Sequence, residues 1–451
     1  MSQPDATDPQ DPQEFLRKIF AELGLPDNVD LNEEADRKDL LAKMINRLTP
    51  FTSIPQEQAV WDTARQTARQ VVARLGPDPT GGTRMLRRAN DAYRLVELWL
   101  NEATSFPPSA MPPLVWSRAE WIEATMPAWR SMIAPVIDVL STAIVSAAST
   151  DLPESAPAEL AGFQSIMHPL MNRAIGGLFG AQVGEGLGWA ATATMTGTDF
   201  GLPVMAGPQV AVLPTNLSAV QQQGDLDVEA LLLYCVLRES ARVRLFQEIG
   251  WIAPSMIALV QHYAREMQVD PQAISDAMRQ VAPDSFSAEA IAAFNHDFSA
   301  MLFQSDPTAE QSAIMERLSL LVALVEGWVD DVASVVADQW LPNWRQISES
   351  LHRERVTSKV SNRGLIPVLG GIADPKLVRQ ATGFWAAVRA DRGTEGRDDI
   401  WRQPDGMPDA ADLSDPQSFL TTADAPLDPI DEELRRLLDG SDESGTASDQ
   451  Q

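Results

Sequence analysis

L-R-E-S-A-R-V-R-L-F, Leu237 to Phe246, lies inside a longer run, Val228 to Gln247, whose apolar residues recur at helical spacing. In it Arg238, Glu239 and Arg242 stand at i, i+1 and i+4, so the two guanidinium groups share one helical face a turn apart and the carboxylate flanks it. Upstream, Q-V-A-V-L at Gln209 to Leu213 is short and β-branched, the best strand in the chain. Pro214 stops it, which predicts a place at a sheet edge or a strand end, and Pro214 to Asp227 reads as a loop. A strand followed by a charged helix is where chemistry is expected.

Outward from this core the periodicity is helical almost throughout, which predicts a mainly α fold. Val60 to Leu75, Thr83 to Glu102 and Arg118 to Ser146 repeat apolar residues at three and four spacing, the last with kinks or breaks expected at Pro127 and Pro135. Proline-rich stretches at Phe106 to Pro113 and Asp151 to Pro157 punctuate the helices, and no repeat of fixed period occurs. Trp61, Trp99, Trp116, Trp121 and Trp129 fall on or beside the apolar stripes and read as core. G-G-L-F-G-A-Q-V-G-E-G-L-G, Gly176 to Gly188, looks like a phosphate loop. The preceding His168 to Ile175 has no strand alternation, however, as a dinucleotide loop requires. Gly176, Gly180, Gly184 and Gly188 step by four instead, which predicts a helix that a neighbour approaches closely.

Composition narrows the function. The chain has 451 residues, 44% of them hydrophobic, enough for a sizeable core. A formal charge of −28 argues against nucleic acid or an anionic membrane held by a basic face. The acid is concentrated at the ends: residues 1–40 carry 11 acidic and 4 basic side chains, and 403–451 carry 13 and 2. Low hydrophobicity with like charge predicts disorder at 1–13 and over most of 403–451, leaving 14–402 as the folded part. Within the tail, Ile430, Leu434, Leu437 and Leu438 form an apolar stripe over 428–438, which either docks on its own domain or binds a partner. The N-terminus lacks an apolar signal region, so the expected location is the cytoplasm. Ser131 to Ser149 contains Pro135 and Asp138; a charge at a bilayer centre costs about 3 kcal/mol, so this is expected to be a buried helix and not a membrane span. The single cysteine, Cys235, excludes an internal disulfide and reads as an inert core thiol.

The spacing of Arg238, Glu239 and Arg242 is that of H-E-x-x-H, in which two histidines on one helical face bind zinc and the glutamate activates its water. Both histidine positions hold arginine. The sequence resembles the zincin-like metallopeptidase type 2 family, actinobacterial proteins labelled hydrolases or zinc-dependent metalloproteases. The likeness spans Ala59 to Leu420. It is carried by W-S-R-A-E-W-I-E-A-T (Trp116 to Thr125), the glycine helix, V-L-P-T-N (Val212 to Asn216), L-R-E-S-A-R-V-R-L-F, L-V-E-G-W-V-D (Leu324 to Asp330) and E-G-R-D-D-I-W (Glu395 to Trp401). The resemblance implies a mostly helical fold with a small sheet beside the active-site helix. It places the family's general base on Glu239, the imidazole ligands on Arg238 and Arg242, the third, carboxylate ligand on Glu326, and an orienting carboxylate on Asp330.

Guanidinium is protonated at any working pH and offers no lone pair to a metal. His168, His262, His296 and His352 are scattered, and His262 and His296 read as surface or helix-edge residues. No tightly held zinc is therefore expected; zinc would be the cofactor if the family activity were retained. Arg238 and Arg242 can instead neutralise Glu239, Glu326 and Asp330 in a buried network, or point to solvent in ordinary helical pairs such as Glu239 with Arg242. Two functions follow. One is a catalytically silent binding or scaffold protein, with a peptide or protein partner in the former substrate groove, adding beside the Gln209 to Leu213 strand. The other is a working metallopeptidase or hydrolase with a rearranged site, although no G-x-S-x-G or other nucleophile motif is present.

Overall fold

A computed structural model describes residues 56–150, 176–177, 179–267, 307–357 and 374–423. The first helices are one-sided, as their periodicity predicts. Helix α1 (Gln56–Arg74) buries Val60, Ala64, Ala68 and Val72, and α2 (Thr83–Leu100) buries Ala89, Tyr93, Val96 and Leu100. After β1 (Leu114–Val115), α3 (Arg118–Thr150) runs through both Pro127 and Pro135 without a break, contrary to one of the expected outcomes. Each proline removes one i to i−4 bond, and packing against α1 and a later helix holds the rest. Over 131–139, in the stretch expected to be a buried helix, only one face is inside: Met132, Ile133, Val136 and Ile137 are buried while Asp138 is exposed.

Helix α4 (179–193) carries the glycine steps. A Cβ at Gly180 or Gly184 would overlap the carbonyl oxygens of Val60 and Ala64, and one at Gly188 would overlap the Val71 side chain. The four-residue spacing therefore lets α4 lie directly on α1, as expected. Strand β2 (Ala211–Val212) pairs in parallel with β1, Leu114 opposite Ala211 and Val115 opposite Val212. The chain on its other side also bonds to it: Gly197 N–H donates to Ala211 O (3.1 Å) and Leu213 N–H to Met195 O (2.9 Å). The strand is shorter than Gln209 to Leu213 and is flanked on both sides, so it is not an edge. Pro214 ends it by starting a helix: Pro214 to Asp227, expected to be a loop, contains α5 (Pro214–Gly224) with proline in its first turn.

Helices α6 (Val228–Glu248), α7 (Ile252–Arg265) and α8 (Ala309–Trp340) follow. Every residue from Tyr234 to Leu245 of α6 and from Leu321 to Val329 of α8 is buried. A helix covered all round has no solvated face for its charges, so each ionised side chain in it needs a partner. Both helices are surrounded: α6 packs on α2, α5 and α8, and α8 packs on α6, α7 and α10. Helix α9 (Trp344–Thr357) contacts α5 and α6; α10 (Pro375–Asp399) lies along α8, with Ala381 pressed so closely to Gly327 that a Cβ there would overlap it. Gly393, at φ 74°, bends α10 in a way other residues resist and returns the chain toward α8.

The folded part extends past 402. Helices α11 (Ala410–Ser414) and α12 (Pro416–Ala423) bury Leu413 and Leu420 and set Phe419 edge-on against Phe384, 5.0 Å between ring centres. Apolar side chains spaced among the acids supply this packing, which net charge alone conceals. The segments expected to be disordered at 1–13 and 439–451, and the stripe over 428–438, lie outside the described residues. Among the described residues no single helix is long and apolar enough to cross a membrane.

Candidate functional site

Helix α6 is fixed at its start by Asp227, whose side chain accepts from Ala230 N–H at 2.8 Å. Its three arginines then divide between two neighbours. Arg244 faces α2, where it donates to Glu97 Oε2 (2.6 Å), Asn101 Oδ1 (2.9 Å) and Phe106 O (3.0 Å). Arg238 and Arg242 face α8.

On α8, Glu326 receives both. Arg238 Nη2 donates to Glu326 Oε2 (2.9 Å) and Arg242 Nε to Glu326 Oε1 (2.8 Å), with Arg242 Nη2 also 2.8 Å from Oε1. Arg238 Nη1 pairs with Asp330, one turn beyond Glu326. Arg242 Nη1 donates to Glu239 Oε2 at 2.8 Å. Arg242 and Glu239 are 0% exposed, Glu326 3% and Arg238 5%. All five residues singled out in the sequence thus converge, and the arginines do not point to solvent.

The loop before β2 closes the site from above. Glu239 Oε2 accepts from the hydroxyls of Thr196 and Thr198, both at 2.9 Å, and Oε1 from Thr198 N–H at 3.0 Å. A side chain at Gly197 would run into Glu239, and Gly201, at φ 72°, sits against Glu326. Burial raises the Glu239 carboxyl above its ordinary pKa, with Asp199 adding to the rise; Arg242 and the threonine hydroxyls oppose it. The charge count agrees: two guanidinium groups balance Glu326 and Asp330, and a third ionised carboxylate leaves the cluster negative. For Arg242, burial favours the neutral form, but Glu326 and Glu239 outweigh it and hold the guanidinium charged.

A second buried cluster lies on another side of α8. Asp331 binds Arg389 and Arg397 (Nη1 to Oδ2, 2.8 Å). Asp398 accepts from Arg397 Nε, Trp328 Nε1, Thr104 and Ser105 at 2.7–3.0 Å. Every carboxylate oxygen in it has a donor, so it has the character of a structural joint between α8, α10 and the loop after α2. A third joint ties the W-S-R motif to V-L-P-T-N: Arg118 Nε donates to Asn216 Oδ1 (2.6 Å), and Asp78 bridges Arg118 N–H and the Thr215 hydroxyl.

Sequence reasoning missed Thr196 and Thr198. Their signal was T-M-T-G-T-D, Thr194 to Asp199, whose hydroxyls become meaningful once Thr196 is bridged to Val212. It also gave no role to Asp331, Arg397 or Asp398. Cys235 is 3% exposed within α6, as expected of a core thiol. His262 on α7 and His352 on α9 are exposed; His168 and His296 lie outside the described residues.

A family model described as zincin-like metallopeptidase matches residues 60–420. The fold is similar to a crystal structure from Chloroflexus aurantiacus of a provisionally assigned hydrolase with a novel fold. The TM-score is 0.54 at 18% identity, over 81% of this chain and 99% of that one. No curated protein matches the chain.

Proposed function

The chain belongs to the zincin-like metallopeptidase family, and from that premise we propose that it is a metal-free, catalytically silent member that works as a binding or scaffold protein. The observation that carries this reading is the closed cluster of Arg238, Arg242, Glu239, Glu326 and Asp330. The resemblance assigns two metal-ligand positions to Arg238 and Arg242, and guanidinium has no lone pair to donate. Their positive charge also occupies the space where a cation would sit. These residues do not fit zinc.

Glu239 would be the general base in an active relative. Here its carboxylate is enclosed by Thr196, Thr198 and Arg242 and has no exposure to bulk water, so a substrate or attacking water has no route to it without loop movement. A working hydrolase would need a different nucleophile; Cys235 is enclosed in the apolar part of α6. A partner does not bind by adding beside Gln209 to Leu213, because that backbone is hydrogen-bonded on both sides.

Elemental analysis of the full-length protein after dialysis tests the reading. The expected outcome is no chelator-sensitive proteolysis and a zinc content that Glu326→Gln leaves unchanged. Stoichiometric zinc that survives dialysis, together with such proteolysis, overturns it.

A further inference from the structure

We propose that His262, Glu266 and Glu310 form a surface site for a divalent transition-metal ion, with Zn2+ the best match, separate from the arginine-filled centre. His262 lies in the last turn of α7 and Glu266 is its C-cap residue, four positions on, and Glu310 lies in the first turn of α8. His262 Nε2 is 3.9 Å from Glu266 Oε1 and 3.6 Å from Glu310 Oε1, and the three donor atoms lie within 4.8 Å of one another. Tetrahedral zinc with bonds of about 2.0–2.1 Å places its ligand atoms roughly 3.3–3.4 Å apart. Small rotations of exposed side chains supply the difference. One imidazole and two carboxylates leave a fourth position for water, and the nitrogen donor favours zinc over magnesium or calcium.

The supporting backbone is fixed. Helix α7 is anchored by Ile252, Met256, Val260 and Ala264, all buried, and by Gln261, whose amide donates to Ser131 O at 2.8 Å. Glu310 stands inside a capping box: Gln311 N–H donates to the Thr308 hydroxyl (3.1 Å) and Thr308 N–H to Gln311 Oε1 (2.9 Å). The three ligands therefore hang from two elements held at a set separation, as metal binding requires. The site shares no residue with the buried cluster. Without an ion, Glu266 and Glu310 meet at the surface as like charges; a cation would join the end of α7 to the start of α8.

The test uses the full-length, chelator-treated protein titrated with zinc chloride at neutral pH in a calorimeter, with melting temperature read in parallel. Saturation at one equivalent with a raised melting temperature is expected, and magnesium at the same concentration should produce neither. His262→Ala should weaken binding by more than about tenfold, since even losing a group that only orients a ligand costs 10–100-fold. Glu310→Gln should act in the same direction. Absence of saturable uptake overturns the surface site and leaves the metal-free centre standing. Stoichiometric uptake unchanged in both variants places the ion elsewhere and also overturns the surface site. If that uptake is then lost on Glu326→Gln, the reading of the centre as metal-free fails with it.

Discussion

Arg242 Nη1 lies 2.8 Å from Glu239 Oε2, one turn apart on the same helix, with both side chains wholly buried. On a solvated helix such an i, i+3 pair contributes only a few tenths of a kcal/mol. Here the same guanidinium also holds Glu326, so removing it strands charge in the interior.

Arg242→Ala is accordingly expected to destabilise the protein by about 3–5 kcal/mol, the cost of breaking a buried pair. Arg130, paired with Glu57 at 2.8 Å but about half exposed, provides the contrast. Arg130→Ala should stay within about 0.5 kcal/mol. Urea unfolding of both variants measures the difference, and equal effects would refute the assignment of the centre as buried.

The raised carboxyl of Glu239 gives a pH dependence of definite sign. A group whose folded pKa lies above its ordinary value, here 4.5, adds stability below that value and loses it as pH rises through the folded value. Glu239→Gln stays neutral and lacks this loss. The stability of the variant relative to the wild type should therefore increase as pH rises from acid toward neutral. A difference that shrinks over the same range would show that the arginine and threonine donors prevail over burial.

Arg238→His combined with Arg242→His recreates the two imidazole ligands, with Glu326 as third. The variant should be unstable without metal, because its carboxylates lose their counter-charges, and should gain stability with zinc. Proteolysis is not expected to return, since Thr196 and Thr198 still cover Glu239. Calorimetry in the His262→Ala background reads this uptake alone; none above that background would mean that α6 and α8 do not converge as described.

Glycine substitutions separate close packing from mere helix content. Gly184→Ala drives a methyl into the Ala64 carbonyl and should cost at least about 1–3 kcal/mol. Gly383, exposed in α10 with open space around it, should gain roughly 0.5–1 kcal/mol on Gly383→Ala. Thermal melts of the pair decide the matter; a stable Gly184→Ala protein would detach α4 from α1.

The helical class was legible because it rests on local spacing, and i, i+4 likewise put Arg238 and Arg242 on one face beside Glu239; Glu326 and Asp330 came in through the family resemblance, because no local pattern joins helices so far apart in the chain. What spacing could not give was the closure. Thr196 reaches Glu239 only through its bridge to Val212, a pairing across the chain with no local signature. Pro214 was misread for a related reason: proline ends a strand and begins a helix equally well, and only the neighbours select between them. The tail boundary failed because charge outweighed four well-placed apolar residues, Leu413, Phe419, Leu420 and Met407, in the reading.

Asp330 and Asp331 are adjacent in sequence yet serve different ion clusters, one with Arg238 and the other with Arg389 and Arg397. Neither cluster can open alone by a rotation of α8, because the turn that frees one aspartate pulls on the other. The interior is thereby mechanically indivisible: α6, α8 and α10 should exchange their amide hydrogens together, at the rate of global unfolding, with no partly opened form between.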